Sequence, residues 1–205
     1  MPETIGDCFE GIEATLKKAV AALQQHRVPF MLGGSLAVWA RGGPESCNDL
    51  DLMVRSEDAD AALEALEDAG MRAERPPEGW LYKAWDDSVL VDLIFGPKGL
   101  TIGDAVFERS EPVGVFGLEL RAMTLEDVLI TKLRSLHEHY IDYDPVLQMT
   151  RAVRERIDWD QVRQATADSP FARAFFTLAE GLELIEPARQ QGTAEGRPRI
   201  RLANR

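Results

Sequence analysis

Two short stretches decide the fold of this chain: VPFMLGGS at residues 28–35 and DLDLMV at residues 49–54. The first is apolar and then runs into two glycines, which predicts a strand that ends in a tight turn. The second alternates carboxylates with apolar residues, and period-two alternation is typical of a strand whose two faces differ. Asp49 and Asp51 are therefore predicted to project together from one face of that strand.

Two neighbouring carboxylates on a buried strand repel each other, and a divalent cation would remove the repulsion. Mg²⁺ prefers carboxylates together with phosphate oxygens, so a metal–phosphate site is one interpretation of the pair. The alternative is an edge strand with one solvated face. The position of Asp49/Asp51 on a strand distinguishes it from the other Asp-x-Asp pairs of the chain. Those pairs begin predicted helices, where carboxylates cap free amides; they are Asp58/Asp60, Asp142/Asp144 and Asp158/Asp160.

Asp92 is the sole charged residue in SVLVDLIF at residues 88–95, an otherwise apolar strand suited to burial on both faces. A lone carboxylate in such a place has to be paired, protonated or bound to a metal. It would complete a carboxylate trio with Asp49 and Asp51 if its strand lay beside theirs. A carboxylate that is hydrogen-bonded at the end of a sheet is the competing interpretation.

The remaining patterns predict strands and helices mixed in the first part of the chain, then helices alone. Helices are predicted at 7–26, 35–40 and 56–69, strands at 28–32 and 49–54, a hairpin from 80–85 and 88–95, and a strand pair between 113 and 123. Helix starts follow at Thr124, Asp144, Asp158 and Ser169. This order predicts an α/β (α+β) fold with a mixed sheet flanked by helices, organised as a catalytic core at 1–123, a helical segment at 124–186 and a disordered basic tail at 187–205.

The composition of the chain bears on its cellular location and on the charge of its ligands. The chain of 205 residues has no apolar run long enough to cross a membrane, no secretory signal and two cysteines without metal-ligand spacing, so we expect a cytoplasmic protein. Its net charge is −12, and because 187–205 holds five arginines and one glutamate, the other residues carry −16. An acidic body disfavours broad binding to nucleic acid, yet leaves room for a local basic pocket or a cationic substrate.

Taken together, Gly34-Ser35, Asp49-Leu-Asp51 fourteen residues past the serine, and Asp92 on a later strand resemble the nucleotidyltransferase superfamily related to DNA polymerase beta. The resemblance covers residues 28–95. More loosely, TLEDVLITKL at 124–133 looks like the helix that follows the core in AbiE-type toxin nucleotidyltransferases. Asp142 is the candidate for the acidic residue that such toxins carry after the helix lysine.

The resemblance implies a metal-dependent reaction. Two Mg²⁺ (or Mn²⁺) ions held by Asp49, Asp51 and Asp92 would bind a nucleoside triphosphate such as ATP, and Asp92 would draw the proton from an attacking hydroxyl. Attack on the α-phosphate would release pyrophosphate. Most of the rate would come from positioning and charge neutralisation.

Nucleotide-binding residues are predicted around these carboxylates. The turn formed by Gly33, Gly34 and Ser35 would let a phosphate approach backbone amides, although the glycines alone favour a plain tight turn. Lys132 lies on the apolar side of its helix, so it either snorkels to solvent or reaches into a cleft towards phosphate. Two further candidates, Arg41 and Lys83, are as compatible with ordinary surface positions.

Three functions stay open. The favoured one is a toxin of a toxin–antitoxin pair that modifies a tRNA end or a protein side chain and has a cognate antitoxin. The second is the nucleotidylation of a small molecule, such as an aminoglycoside antibiotic, which the acidic body would suit. The third is a non-catalytic nucleotide- or partner-binding module, against which the three intact aspartates weigh.

Overall fold

A mixed seven-stranded sheet forms the centre of the protein in the computed structural model, which describes residues 5–45 and 49–187. The strands are β1 (Met31–Leu32), β2 (Leu50–Met53), β3 (Arg72–Glu74), β4 (Leu81–Asp86), β5 (Val89–Ile94), β6 (Glu111–Val115) and β7 (Leu118–Ala122). They lie in the order β3-β4-β5-β2-β1-β7-β6, in which β2 pairs parallel with β5, β1 pairs parallel with β7, and the other neighbours are antiparallel. The predicted mixed sheet is confirmed.

Eight α-helices flank this sheet within the described residues. They are α1 (Ile5–Gln25), α2 (Gly34–Trp39), α3 (Ala59–Asp68), α4 (Asp104–Arg109), α5 (Leu125–Ser135), α6 (Asp144–Val153), α7 (Trp159–Ala165) and α8 (Pro170–Gly181). None of them is both long enough and apolar enough to cross a membrane.

Helices α1 and α3 cover one face of the sheet. The α1 residues that repeat at helical spacing, such as Leu16 and Leu23, are fully buried. Beneath these two helices lie the leucines and valines of β2 and β5, including Leu50 and Val91, which are paired in register and inaccessible to solvent. Because side chains alternate along a strand, the intervening residues of β2 and β5 point to the opposite face.

Helix starts were well predicted, because capping depends on neighbours in sequence. The Thr124 hydroxyl accepts a hydrogen bond from the Asp127 amide, Asp158 accepts from the amides of two residues that follow it, and Ser169 accepts from Ala172. These contacts satisfy amides that have no partner inside the helix. Ser56 is an exception, since it begins a 3₁₀ turn and α3 starts only at Ala59.

Other predicted boundaries differ from the structure. Only residues 31–32 of the predicted strand at 28–32 pair with other strands, and Asp49 lies just before β2. Strand β3 and helix α4 have no counterpart among the predicted elements. His137 and His139 lie beyond the end of α5, where His137 forms an isolated β-bridge with Tyr140. The predicted tail lies, from residue 188 onward, outside the described residues.

Candidate active site

Two of the three predicted carboxylates lie side by side on the face of the sheet opposite α1 and α3. Asp51 on β2 is the register partner of Asp92 on the parallel strand β5, and Asp92 is also the register partner of Lys83 on β4. Side chains at paired positions project from the same face of a sheet. The three residues therefore form a row, with one lysine at its end and two carboxylates next to each other.

The glycine turn packs directly against this row. The Gly33 amide donates a hydrogen bond to the Asp51 carbonyl oxygen at 2.8 Å. Gly34 has a φ of +54°, and a Cβ atom added there would overlap the Asp51 carboxylate. A glycine is therefore required at this position both by the left-handed backbone and by the close approach to Asp51. Ser35 follows in the first turn of α2 and is partly buried.

Burial and mutual repulsion make these carboxylates hard to ionise. Burial raises the pKa of Asp51 to about 6, opposed by Lys132 and reinforced by the negative charges of Asp92 and Asp49. Burial likewise raises the pKa of Asp92 to about 6, opposed by Lys83 and reinforced by Asp49. Ionising either group therefore costs more in the folded protein than in the unfolded chain, and a further positive charge would lower that cost.

The Asp92 carboxylate has an unpaired oxygen. Its Oδ1 atom is buried without a hydrogen-bond donor among the described residues, and the Lys83 Nζ atom is 3.9 Å away, too far for a hydrogen bond. The Asp92 side chain is only 14% exposed. A buried anionic oxygen without a donor is a position that a cation would satisfy.

Asp51 and Asp92 thus fit a divalent cation, whereas the predicted trio is not gathered. Asp49 is exposed, at the edge of the undescribed residues 46–48. Across the described part of the chain, no group of three or more His, Cys, Asp or Glu side chains is arranged to hold a metal ion. Asp49 acts on the other two carboxylates through its charge, and its participation as a ligand stays a prediction.

A cavity of about 700 Å³ opens beside Asp51. The side of this cavity formed by α5 carries Lys132, whose positive charge acts on Asp51. Lys132 thus lines a cleft, and its contact with phosphate stays a prediction. The lining residues are Gly34, Asp51, Met53, Trp80, Ile94, Gly96, Pro97, Lys98, Thr131, Lys132, Ser135 and His137.

Arg41 lies away from this cavity. Its buried guanidinium forms an ion pair with Glu111 at 3.0 Å and donates a hydrogen bond to the Ala37 carbonyl oxygen. Burial lowers its pKa, and Glu111 opposes that effect. In this structure Arg41 ties α2 to β6, and it is not among the residues that line the cavity.

Sequence reasoning missed Trp80, Lys98 and His137 as residues of the cavity wall. Their common signal is position: each lies just outside a regular element, before β4, after β5 or after α5. Loops at strand ends often carry binding residues, but only the tertiary structure brings these three loops together.

A mixed sheet with two facing carboxylates, one of them held against a glycine turn, is the core expected of a nucleotidyltransferase. Comparison with protein families confirms this class: residues 13–171 match the family described as "Nucleotidyl transferase of unknown function (DUF2204)", and the chain belongs to that family. The predicted enzyme class and superfamily are therefore confirmed.

Solved structures give the same fold. A crystal structure of ANT(2'')-Ia in complex with adenylyl-2''-tobramycin superposes with a TM-score of 0.50 at 18% identity, covering 83% of this chain and 96% of that one. A solution structure of the antibiotic-resistance factor ANT(2'')-Ia superposes with a TM-score of 0.51, also at 18% identity, covering 83% of this chain and 94% of that one. At this identity the likeness establishes the fold alone. No curated protein matches the chain by sequence.

Proposed function

We propose that this protein transfers a nucleoside monophosphate from a nucleoside triphosphate to a hydroxyl group in a metal-dependent reaction centred on Asp51 and Asp92. One observation carries the proposal: the Asp51 and Asp92 carboxylates lie side by side in register, Asp51 lines a cavity, and one Asp92 oxygen is buried without a donor. A purely structural pair would be expected to have satisfied both side chains with protein donors.

Asp51 and Asp92 would hold Mg²⁺ (or Mn²⁺), two ions when substrate is bound, with Asp49 joining them from its exposed position. The metal would supply positive charge that neutralises the triphosphate and the transition state. Asp92 would also accept the proton of the attacking hydroxyl, and a pKa raised towards 6 suits a base that works near neutral pH. The acceptor oxygen then bonds to the α-phosphorus, and pyrophosphate leaves.

Basic groups around the row would bind the phosphates. Lys132 lines the cavity beside Asp51, where a compact ammonium group suits a phosphate oxygen. Lys83 is close enough to Asp92 to compensate its charge before substrate binds. The turn at Gly33, Gly34 and Ser35 would keep bulky side chains away from the phosphates.

For the acceptor we propose the hydroxyl of a tRNA end or of a protein side chain, as in a toxin that is held in check by a cognate antitoxin. What supports this choice is the likeness of residues 124–133 to the helix that follows the core in AbiE-type toxin nucleotidyltransferases.

Aminoglycoside nucleotidylation is the second candidate. Its support is the fold that this chain shares with ANT(2'')-Ia. The match covers 96% of the ANT(2'')-Ia chain in the crystal structure with adenylyl-2''-tobramycin. One assay distinguishes the two classes of acceptor. The protein is incubated with each labelled nucleoside triphosphate, Mg²⁺, and either tRNA, bacterial protein extract or aminoglycosides, and the labelled product is identified.

The catalytic assignment is tested with Asp92→Asn. We expect the variant to bind nucleoside triphosphate with Mg²⁺ while its single-turnover rate falls roughly 10²-fold or more, the scale of a lost general base. Asp86→Asn is the matched control, because Asp86 lies on β4 but accepts hydrogen bonds from Thr15 and Lys18 of α1. It should lower stability and leave turnover per folded molecule unchanged. Wild-type turnover in a folded Asp92→Asn variant would refute the proposal.

A further inference from the structure

We infer that Trp80 forms the stacking platform for the base of the nucleoside triphosphate. The inference rests on the proposed function and adds to it a binding surface for the base, in the part of the cavity away from the carboxylates. Three observations lead to it: an apolar ledge one step along the sheet from Asp51 and Asp92, a tryptophan fixed beside that ledge, and a free aromatic surface on this tryptophan.

The ledge consists of Met53 and Ile94. They are register partners on β2 and β5, two residues beyond Asp51 and Asp92 respectively, so they project from the same face of the sheet. Two residues of strand span roughly 6.6 Å. An apolar surface thus begins about one sugar ring away from the carboxylates that would hold the phosphates, and both ledge residues line the cavity.

Trp80 borders this ledge on the side of β4. It directly precedes Leu81, which is the register partner of Ile94. The Trp80 carbonyl oxygen accepts hydrogen bonds from the amides of Phe95 and Gly96, at 3.1 and 3.0 Å. A Cβ atom added to Gly96 would come within 3.3 Å of the Trp80 Cβ atom. The backbone below the indole is therefore held closely at the cavity wall.

The ring of Trp80 is available, in contrast to the other tryptophans. Trp39 packs against Phe9 and Phe116, and Trp159 packs against Phe176. Trp85 lies beneath the Arg72 guanidinium. Trp80 is 40% exposed, and within the described residues no aromatic ring or guanidinium packs on it.

A planar base is the ligand group that this arrangement would recognise. An exposed indole beside an apolar ledge offers stacking and apolar contact, and both depend little on which base is present because every base has a π-face. The same cavity carries Lys98 and Lys132, so its chemistry combines an aromatic surface with positive charge. That combination matches a nucleotide, whose base and phosphates are joined by one sugar.

The test compares two ligands that share the phosphate chain and differ in the base. Binding of an α,β-methylene nucleoside triphosphate and of inorganic tripolyphosphate, each with Mg²⁺, is measured by calorimetry. Stacking on an aromatic side chain is worth about 1–3 kcal/mol per base, so Trp80→Leu should weaken nucleotide binding roughly tenfold. It should leave tripolyphosphate binding unchanged. Trp80→Phe keeps a ring and should retain most of the affinity, and Trp85→Leu should bind both ligands as the wild type does.

Fluorescence gives a second readout. Nucleotide binding should quench tryptophan emission in the wild type and in Trp85→Phe, and the quenching should be lost in Trp80→Phe. An unchanged ratio of nucleotide to tripolyphosphate affinity in Trp80→Leu would overturn the inference while leaving the proposed function intact. If the wild type binds neither ligand, the proposed function fails instead.

Discussion

Replacing Asp51 by asparagine should make the metal-free protein more stable at pH 8, although the same change should abolish its activity. Asp51 lies next to Asp92 in the carboxylate row, and its own carboxylate is pressed against the Gly34 backbone. Asparagine keeps the size and shape of this side chain while removing its charge. The change therefore isolates the electrostatic cost of the site from its packing.

The magnitude follows from the pKa of Asp51, which burial raises from 3.8 to about 6. Ionising this carboxylate therefore costs about 3 kcal/mol more in the folded protein than in the unfolded chain. The pKa of Asp51 is higher in the folded protein than in the unfolded chain. The wild type therefore keeps its full free energy of unfolding below about pH 4, where Asp51 is protonated, and loses about 3 kcal/mol as the pH rises through 6. A buried amide has a desolvation cost of its own, so we expect a net gain of about 1–2 kcal/mol for Asp51→Asn at pH 8.

For a chain of this length, that gain corresponds to a rise in Tm of roughly 2–8 °C. Thermal melts are recorded in EDTA at pH 5 and pH 8. The Tm of Asp51→Asn should lie well above that of the wild type at pH 8 and close to it at pH 5. Mg²⁺ should stabilise the wild type more than the variant, because ligand binding adds stability only where the site exists.

Asp86→Asn serves as the control of opposite sign. It loses an ion pair with Lys18 and should be less stable than the wild type at pH 8. The reasoning is refuted if Asp51→Asn is less stable than the wild type in EDTA at pH 8, or if its advantage does not shrink towards pH 5.

Two further predictions concern the surroundings of Asp51. Lys132→Met should weaken nucleoside triphosphate binding roughly tenfold or more, because a hydrogen bond to a charged group is worth about 1.5–3 kcal/mol; unchanged affinity by calorimetry would return Lys132 to a snorkelling role. In denaturant titrations, Gly34→Ala should lower the free energy of unfolding by more than Gly70→Ala does. Both glycines have a positive φ, where a side chain costs about 1–2 kcal/mol. Only at Gly34 would the new Cβ atom also overlap a neighbouring group, the Asp51 carboxylate. Equal losses would show that Asp51 moves aside freely.

The sequence was sufficient wherever structure depends on near neighbours. Thr124 and Ser169 cap their helices as predicted, since a cap involves residues two or three positions apart. The hairpin of β4 and β5 was predicted from two apolar runs separated by a turn at Asp87, which has a positive φ of 51°. Asp92 could be selected because a single charge in an apolar strand is visible without any knowledge of its surroundings.

Local patterns do not reveal the partners that a side chain meets from distant parts of the chain. Arg41 follows the glycine turn closely in sequence, and proximity suggested a phosphate contact. Its guanidinium is instead buried against Glu111, seventy positions away. Asp49 alternates with Asp51 in sequence but lies one residue before β2 begins, and its role as a metal ligand stays a prediction. Alternation predicts which face a residue would use within a strand, and it does not predict where hydrogen-bonded pairing starts.

By itself, then, the sequence determined the mixed fold, the glycine turn, and the identity of the carboxylates that resemble those of nucleotidyltransferases. Only the tertiary structure decided that Asp51 and Asp92 stand in register on parallel strands, because such strands are joined by a long crossover whose geometry no local pattern encodes. It also decided that Trp80 and Lys98, which lie in two separate loops, share one cavity with Lys132 of α5. The physical reason is the same in each case: capping and alternation act over a few residues, whereas register and cavities arise when the whole chain buries its apolar surface together.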